Sequence, residues 1–426
     1  VTQTDFDVLI IGAGVAGSTA AIRLAQAGWS VALVEKQRFP RRKVCGECVA
    51  APNLALLDAL GTGLAFERLA GAPLRRVALC IGEDTLIAPL PRSIDSAHPW
   101  GRALGREHLD TLLLNRAAAL GASVWQPWTV RGVSRDGLRH LCRVQARNSG
   151  DTITLRAPVV IDAHGSWGSD PRGEETRRHP ARGSDLFAFK GNFTGAELDP
   201  DLLPVLTFPG GYGGMVLADG GVLTLACCLR RDLLQSIRDR APGVKAAVAV
   251  QAHLAASCRA VRDALDGARQ EGAWLSAGPI RPGLRTPSRS PTEFAIGNAA
   301  GEAHPILGEG ISMAIQSAWL LCDQLIPQRD ELIAGRAGAR AARVYASAWR
   351  RNFAPRIRAA ALFAHLAMRA ARASWAMPLL RRWPGILTAS ARFGGKVSCA
   401  VVPTATPTST PSVGMAHHRS GHQEPE

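Results

Sequence analysis

Gly12-Ala-Gly14-Val-Ala-Gly17 constrains this chain more than any other segment, because it is flanked on both sides by the elements such glycines serve. Before it, Phe6 to Ile11 is a short apolar run suited to a strand buried on both faces, as at the centre of a parallel sheet. After it, Ser18 to Ala27 carries Ala, Ile and Leu at helical spacing, Gly28 ends that helix, and Trp29 to Val34 reads as a second strand closing on Glu35. In such a β-α-β unit Gly12 permits the tight turn, Gly14 lets backbone approach a pyrophosphate, and Gly17 allows the helix to pack closely on the strand. Ala13, Val15 and Ala16 between them supply backbone N–H groups at the helix start, where free donors and the positive dipole end favour phosphate. Glu35 lies 18 residues beyond Gly17, with Lys36 beside it. There its carboxylate is placed to accept from adenosine ribose hydroxyls, and its charge disfavours a 2′-phosphate. The expected ligand is an adenine dinucleotide.

With 426 residues, 46% of them hydrophobic and 20% charged, the chain can bury a large core and is unlike a disordered one. No uninterrupted apolar run reaches the roughly 18 to 20 residues of a membrane span, and the start lacks a basic leader-type region, so a cytoplasmic location is expected. The formal charge is +15, and between Leu332 and Gln423 there is no Asp or Glu while Arg recurs from Arg336 to Arg419. Such a basic region suits an acidic protein partner or an anionic membrane surface, a solvated helical face being the plain alternative. A nucleic-acid partner is not expected. The nine Cys are scattered and mostly embedded in apolar runs, which suits reduced, buried thiols. Cys45-Gly-Glu-Cys48 lacks the two further ligands of a tetrahedral zinc site, so no metal is expected.

Two later segments extend the pattern. Pro40-Arg-Arg-Lys43-Val-Cys45-Gly46 directly follows the second strand, and Gly297-Asn298-Ala-Ala-Gly-Glu-Ala-His304-Pro305-Ile-Leu-Gly308-Glu-Gly310-Ile311-Ser312 comes late. Together with the first glycine motif they resemble the flavoprotein superfamily of geranylgeranyl reductases, single-component aromatic-ring hydroxylases and flavin-dependent halogenases, the Pro-Arg-x-Lys-x-Cys-Gly element being closest to the reductase branch. The resemblance implies FAD. It places Lys43 near the phosphates or the flavin edge, Arg106 at a helix start reaching the cofactor, Val130 beside the adenine, and Asn298, where Asp is usual, near the ribityl chain. Asn can still accept there through its carbonyl oxygen. It also sets Pro305, Gly308, Gly310 and Ile311 at the N1/C2 edge of the flavin, where a helix N-terminus stabilises the negative charge of the reduced ring. NAD(P)H is the implied reductant. One departure bears on it: His164, in Asp162-Ala-His164-Gly165, stands where the family has an Asp that helps couple FAD and nicotinamide binding. Nor is there a second G-x-G-x-x-G unit to house a nicotinamide dinucleotide.

The fold class so implied is α/β. A Rossmann-type, glutathione-reductase-like FAD-binding domain would be discontinuous over 1–75, 102–180 and 281–335, and 76–101 with 181–280 would form an inserted β-sheet substrate domain. A helical C-terminal region, 336–400, and a disordered tail, 401–426, would follow. Within these, Leu186–Phe193, Gly210–Leu217 and Val222–Leu229 are β-type stretches, Arg231 to Leu265 reads as Ala-rich helices, Pro279 to Pro291 as a connector, and Arg340 to Ala371 as an amphipathic or wholly packed helix. A small-molecule substrate is expected between the inserted sheet and the isoalloxazine, since pockets favour domain interfaces.

The expected activity is that of an FAD-dependent oxidoreductase, a monooxygenase acting on a small hydrophobic or aromatic secondary metabolite through reduced flavin and oxygen. The alternatives are a reductase of isoprenoid or polyketide double bonds, and a flavoprotein that oxidises side chains of a partner protein. Halogenation is disfavoured because Trp125-Gln-Pro-Trp128 does not match the Trp-x-Trp-x-Ile-Pro element of that branch. The cofactor carries the redox chemistry, so no catalytic side chain is required by the fold. Glu47 and His304 are candidate proton shuttles, and Cys45 a candidate contact to the ring or substrate.

Overall fold

The computed structural model describes residues 3–94, 97–166, 180–369, 377–383, 385–393, 399 and 401, so the tail expected to be disordered lies, apart from Val401, outside the described residues. The glycine segment joins strand β1 (Val8–Ile11) to helix α1 (Val15–Gln26), which returns to strand β2 (Val31–Val34); both strands are buried at every position. β1 starts two residues later than the apolar run predicts. Phe6 N–H donates to Arg156 O of a neighbouring sheet at 2.9 Å, whereas Asp7 exchanges hydrogen bonds with Ser30, at the foot of β2 in the same sheet.

β1 and β2 are central in a six-stranded sheet. Its spatial order is Ser288–Ser290, Glu293–Ala295, Val159–Asp162, β1, β2, Ser123–Trp125, parallel except for the first strand. One face is covered by helices. The other packs Leu9, Ile11, Ala32 and Val34 against Cys142, Val144 and Leu155 of a four-stranded sheet built from Gln3–Asp5, Thr152–Ala157, Arg139–Ala146 and Trp128–Asp136. Burial on both faces is what the continuous apolar runs require.

On the helical face, α1 packs beside α2 (Arg106–Ala119) and α3 (Gly310–Leu325). Eleven of the sixteen residues of α3 are buried, the polar Ser312, Gln316 and Ser317 among them. Arg23 of α1 reaches Asp323 of α3 at 2.8 Å and lies 4.1 Å over the Trp319 ring. The C-terminal helix α4 (Gly338–Ala367) turns Tyr345, Trp349, Phe353 and Ile357 into the same core, and Tyr345 Oη donates to Ala295 O at 2.7 Å. Truncating a fully buried ring such as Trp349 to Ala would cost about 3–5 kcal/mol.

The second body is a seven-stranded sheet. In chain order its strands are β3 (Arg76–Ile81), β4 (Asp84–Pro89), β5 (Leu186–Thr194), β6 (Leu202–Phe208), β7 (Gly211–Ala218), β8 (Val222–Arg230) and β9 (Arg269–Ile280). In space they run β9-β5-β8-β7-β6-β3-β4, with only β6 and β3 parallel. Helices Arg231–Arg240, Ala246–Ser257 and Arg259–Ala264 cover its own apolar cluster of Phe189, Leu206, Leu225 and Leu254. β9 carries no clear alternation in the sequence, because Gly272, Gly278 and Pro279 interrupt it; long-range pairing with β5 imposes the strand.

The tightest joint in the first sheet is glycine on glycine: a Cβ on Gly17 would lie 1.8 Å from Gly12 O. Gly17→Ala is therefore expected to lower unfolding stability by about 2–3 kcal/mol in urea titration, whereas Gly28→Ala, where a Cβ meets nothing within 4 Å, should cost only the left-handed-backbone strain of about 1 kcal/mol.

Candidate functional site

The three glycines differ in what surrounds them. Gly12 has φ +100, and a Cβ there would come within 2.6 Å of Ala163 O, so this residue and Gly17 close the strand–turn–helix joint. At Gly14 a Cβ would meet only guanidinium nitrogens, Arg106 Nη2 at 3.7 Å and Arg41 Nη2 at 3.8 Å. A space thus opens at the N-terminus of α1, where the first-turn N–H groups of Val15, Ala16 and Gly17 emerge. Ser18 steadies the turn, its N–H donating to Gly14 O at 3.0 Å and its Oγ to Ala13 O at 2.9 Å. Glu35, buried at the end of β2, accepts from Ala13 N–H at 3.0 Å and from Gln37 N–H at 2.9 Å, which ties the acid to the glycine turn. Lys36 is exposed beside it, and Val130 lies half-buried in the four-stranded sheet.

Cations converge on this space. Arg106, the first residue of α2, grips Asp110 with two bonds of 2.7 and 2.8 Å, and Arg41 approaches the same carboxylate at 3.5 Å. Lys43 Nζ lies 3.5 Å from where a Cβ on Gly165 would sit. Burial, then repulsion from Arg106 and Arg41, pushes the Lys43 ammonium down to about 8, with Asp110 offsetting part of this. The three side chains bring more positive charge than Asp110 neutralises, in front of a helix N-terminus; a diphosphate supplies what is missing. The residues fit the phosphates of FAD. Alongside, a cleft of about 530 Å³ is lined by Lys36, Arg38, Arg41, Arg42 and Arg147 among others.

The late motif forms the far end. Pro305–Leu307 is a single 3-10 turn, Gly308 adopts φ +64, and α3 begins at Gly310. Met313 N–H makes the first bond to Glu309 O at 2.9 Å, so the N–H groups of Gly310, Ile311 and Ser312 precede the ladder. Nothing approaches within 4 Å of a Cβ position on Gly310. Asn298 donates from Nδ2 to Ser166 Oγ at 2.8 Å, within a network joining Ser166 to Glu302 at 2.7 Å and Glu302 to Arg285 at 3.0 Å. These bonds use the amide nitrogen of Asn298 and leave its carbonyl oxygen to accept. Burial pushes the Glu302 carboxyl up.

The candidate proton carriers have contrasting settings. Glu47, at φ 58, is sealed: its carboxylate pairs with Lys190 of β5, accepts from Thr224 Oγ1 of β8 at 2.6 Å, and accepts from Arg106 N–H at 2.9 Å. Both oxygens are occupied, so Glu47 is a clamp between the two bodies and not a mobile proton carrier. Cys45 is half-buried, with its Sγ accepting from Glu47 N–H at 3.3 Å. His304 sits in the loop before Pro305 with Nδ1 3.3 Å from Tyr212 Oη of β7. Burial, then the nearby His365, pushes its imidazole down to about 4, so it is neutral over the physiological range. His164 turns back onto the Asp162 carboxylate, which Arg289 also approaches at 3.0 Å.

Lys190, Thr224, Tyr212 and Glu302 were missed as site residues in the sequence. Lys190 left one signal, as the only charged residue in the apolar run Leu186–Phe193. Among the described residues no group of three or more His, Cys, Asp or Glu side chains could hold a metal ion, and the nine cysteines form no disulfide.

Residues 5–357 match the FAD binding domain family. Conditioned medium factor receptor 1 of Dictyostelium discoideum is 26% identical over 344 residues, 77% of this chain, but the chain spans only 65% of that protein. Menaquinone reductase of Mycolicibacterium smegmatis is 26% identical over 341 residues, covering 75% of this chain and 76% of the relative. Among solved structures, the flavin-dependent brominase Bmp2 superposes with a TM-score of 0.74 at 19% identity, covering 92% of this chain and 94% of the brominase, a likeness of fold.

Breaking the buried clamp tests its role. Glu47→Gln should destabilise the protein by about 3–5 kcal/mol, because it leaves the Lys190 ammonium buried without its counter-charge. Adding Lys190→Met should recover much of that loss in the same denaturant titration.

Proposed function

Since the chain belongs to the FAD binding domain family, we propose that it works as an FAD-dependent oxidoreductase and, more closely, as a monooxygenase of a small hydrophobic or aromatic metabolite with NAD(P)H as reductant. Bound FAD would supply the electron transfer and the reaction with oxygen. The residues that would hold it are the α1 N-terminus with Gly14, Glu35 at the ribose, Arg41, Lys43 and Arg106 at the phosphates, and Asn298 with the start of α3 at the ring. The arginine-lined cleft beside Lys36 supports a polyanionic reductant, which nicotinamide dinucleotides are. Nine cysteines without a disulfide fit a reducing compartment such as the cytoplasm.

The observation that carries the monooxygenase reading is His304. Held neutral beside the loop before α3, it can accept a hydrogen bond and has no imidazolium proton to give. In the tautomer that donates from Nδ1 to Tyr212 Oη, Nε2 keeps its lone pair for a substrate hydroxyl. Hydroxylation of an electron-rich ring is helped by an acceptor that polarises such a hydroxyl, the role open to an imidazole of low basicity. Saturation of a double bond needs instead a proton donor; Glu47 is committed to Lys190, and Glu302, whose carboxyl burial pushes up, is held by Ser166 and Arg285. One observation favours the second reading, a reductase of isoprenoid or polyketide double bonds: the menaquinone reductase relative matches along three quarters of both chains.

Oxygen uptake followed beside NAD(P)H oxidation, with and without a phenolic substrate, separates the two. The monooxygenase reading expects substrate-dependent oxygen consumption matched to NAD(P)H; substrate turnover at full rate without oxygen would overturn it. His304→Gln should lower kcat/KM by about tenfold or more and leave a rate that climbs with pH as the substrate ionises unaided. The wild type should show no step near the ordinary imidazole value, since its His304 titrates at about 4. Linkage gives a second readout: the unfolded chain takes up this proton near pH 6.5 and the folded one at about 4, so stability falls as pH is lowered across that window.

A further inference from the structure

We propose that the C-terminal helices form a docking face for an anionic lipid bilayer. α4 carries an inner stripe buried in the core and an outer stripe recurring every three to four residues. The outer stripe begins with exposed Arg340, Arg343, Arg350 and Arg351 but turns apolar near the helix end, where Leu362 and Leu366 are 61% and 48% exposed. An ordinary solvated face would stay polar to its end.

Hydrogen bonds fix where the following chain runs. Gly210 N–H, just before β7, donates to Met368 O at 3.0 Å. Further on, Arg381 pairs with Asp84 at the start of β4. Strand register puts both anchors at one end of the inserted sheet, because Gly211 faces Phe208, Thr207 faces Ile81, and Ile81 faces Asp84. β7 and β4 are separated by β6 and β3, so the anchors lie roughly 14 Å apart. Thr388 Oγ1 then donates to Pro89 O at 2.8 Å, laying the helix Gly385–Phe393 along β4. Here Leu379, Trp383 and Ile386 are 51%, 56% and 42% exposed, and Ile87 of β4 is 46% exposed.

These large apolar side chains stand among cations. Arg358, Arg369 and Arg382 are exposed in the same segments, Arg381 being held by Asp84, and the chain has no acid between Leu332 and Gln423. Singly scattered apolar residues need no partner, but a cluster does. Aliphatic side chains and an indole interleaved with arginines match a headgroup layer, where the apolar groups enter the acyl boundary and guanidiniums meet phosphates. An acidic protein surface would satisfy the arginines and leave the leucines and Trp383 in water. Among the described residues no helix is long and apolar enough to cross a membrane, so the contact is one of surface adsorption.

The test is sedimentation of the full chain, loaded with FAD, with vesicles of phosphatidylglycerol mixed with phosphatidylcholine and with phosphatidylcholine alone. Partition onto the anionic vesicles is expected to be at least about tenfold stronger and to weaken as salt is raised. Leu379→Ser with Trp383→Ser, and separately Leu362→Ser with Leu366→Ser, should each cut that partition by about tenfold without altering the flavin absorption spectrum. Equal partition onto both vesicles, none onto either, or full partition by both double variants overturns the proposal. Self-association without vesicle binding, lost in the same variants, overturns it too and assigns the face to a second copy of the chain.

Discussion

Arg106 is where the two bodies and the cofactor space meet. Its guanidinium, braced by Asp110, faces the opening above Gly14, while its backbone N–H is bound by the Glu47 carboxylate. That carboxylate is in turn held by Lys190 and Thr224 of the inserted sheet. A buried carboxylate and ammonium carry large desolvation costs, and only their mutual contact with further hydrogen bonds offsets them. The inserted sheet is therefore fixed relative to the α1 N-terminus by the bonds of one buried carboxylate to both bodies.

Burial sets the protonation of the surrounding groups in opposite directions. It pushes the Lys43 ammonium and the His304 imidazole down and the Glu302 carboxyl up. Each shift favours the neutral form. At the phosphate end this is countered by the anion the site is built to receive. At the loop before α3 nothing counters it, which leaves a neutral imidazole next to a phenol and an unladdered helix start. One chain thus presents strong positive charge at the α1 N-terminus and a weakly basic, uncharged edge before α3.

The β-α-β unit, its glycines and Glu35 were legible because every determinant lies within a few dozen residues. Turn geometry, helical spacing and the apolar run act locally; in the structure both strands begin two residues later than read, at Val8 and Val31, and the helix three earlier, at Val15. The start of α2 at Arg106 and of α3 at Gly310 were equally legible from their motifs. β9 was not, since its glycines and proline mask the alternation and only the β5 edge makes it a strand.

What the amino-acid order determined by itself was a phosphate-binding turn with an acid to follow it, and an acid-free, arginine-rich end. Which charges meet was decided by tertiary structure alone. Glu47 and Lys190 stand 143 residues apart, and Tyr212 and His304 stand 92 apart. Local propensity reaches a turn or two along the chain, whereas ion pairing and desolvation depend on distances through space that exist only once the sheets have closed on one another. The same glutamate that reads as a free proton carrier in sequence becomes, for that reason, the fixed joint of the fold.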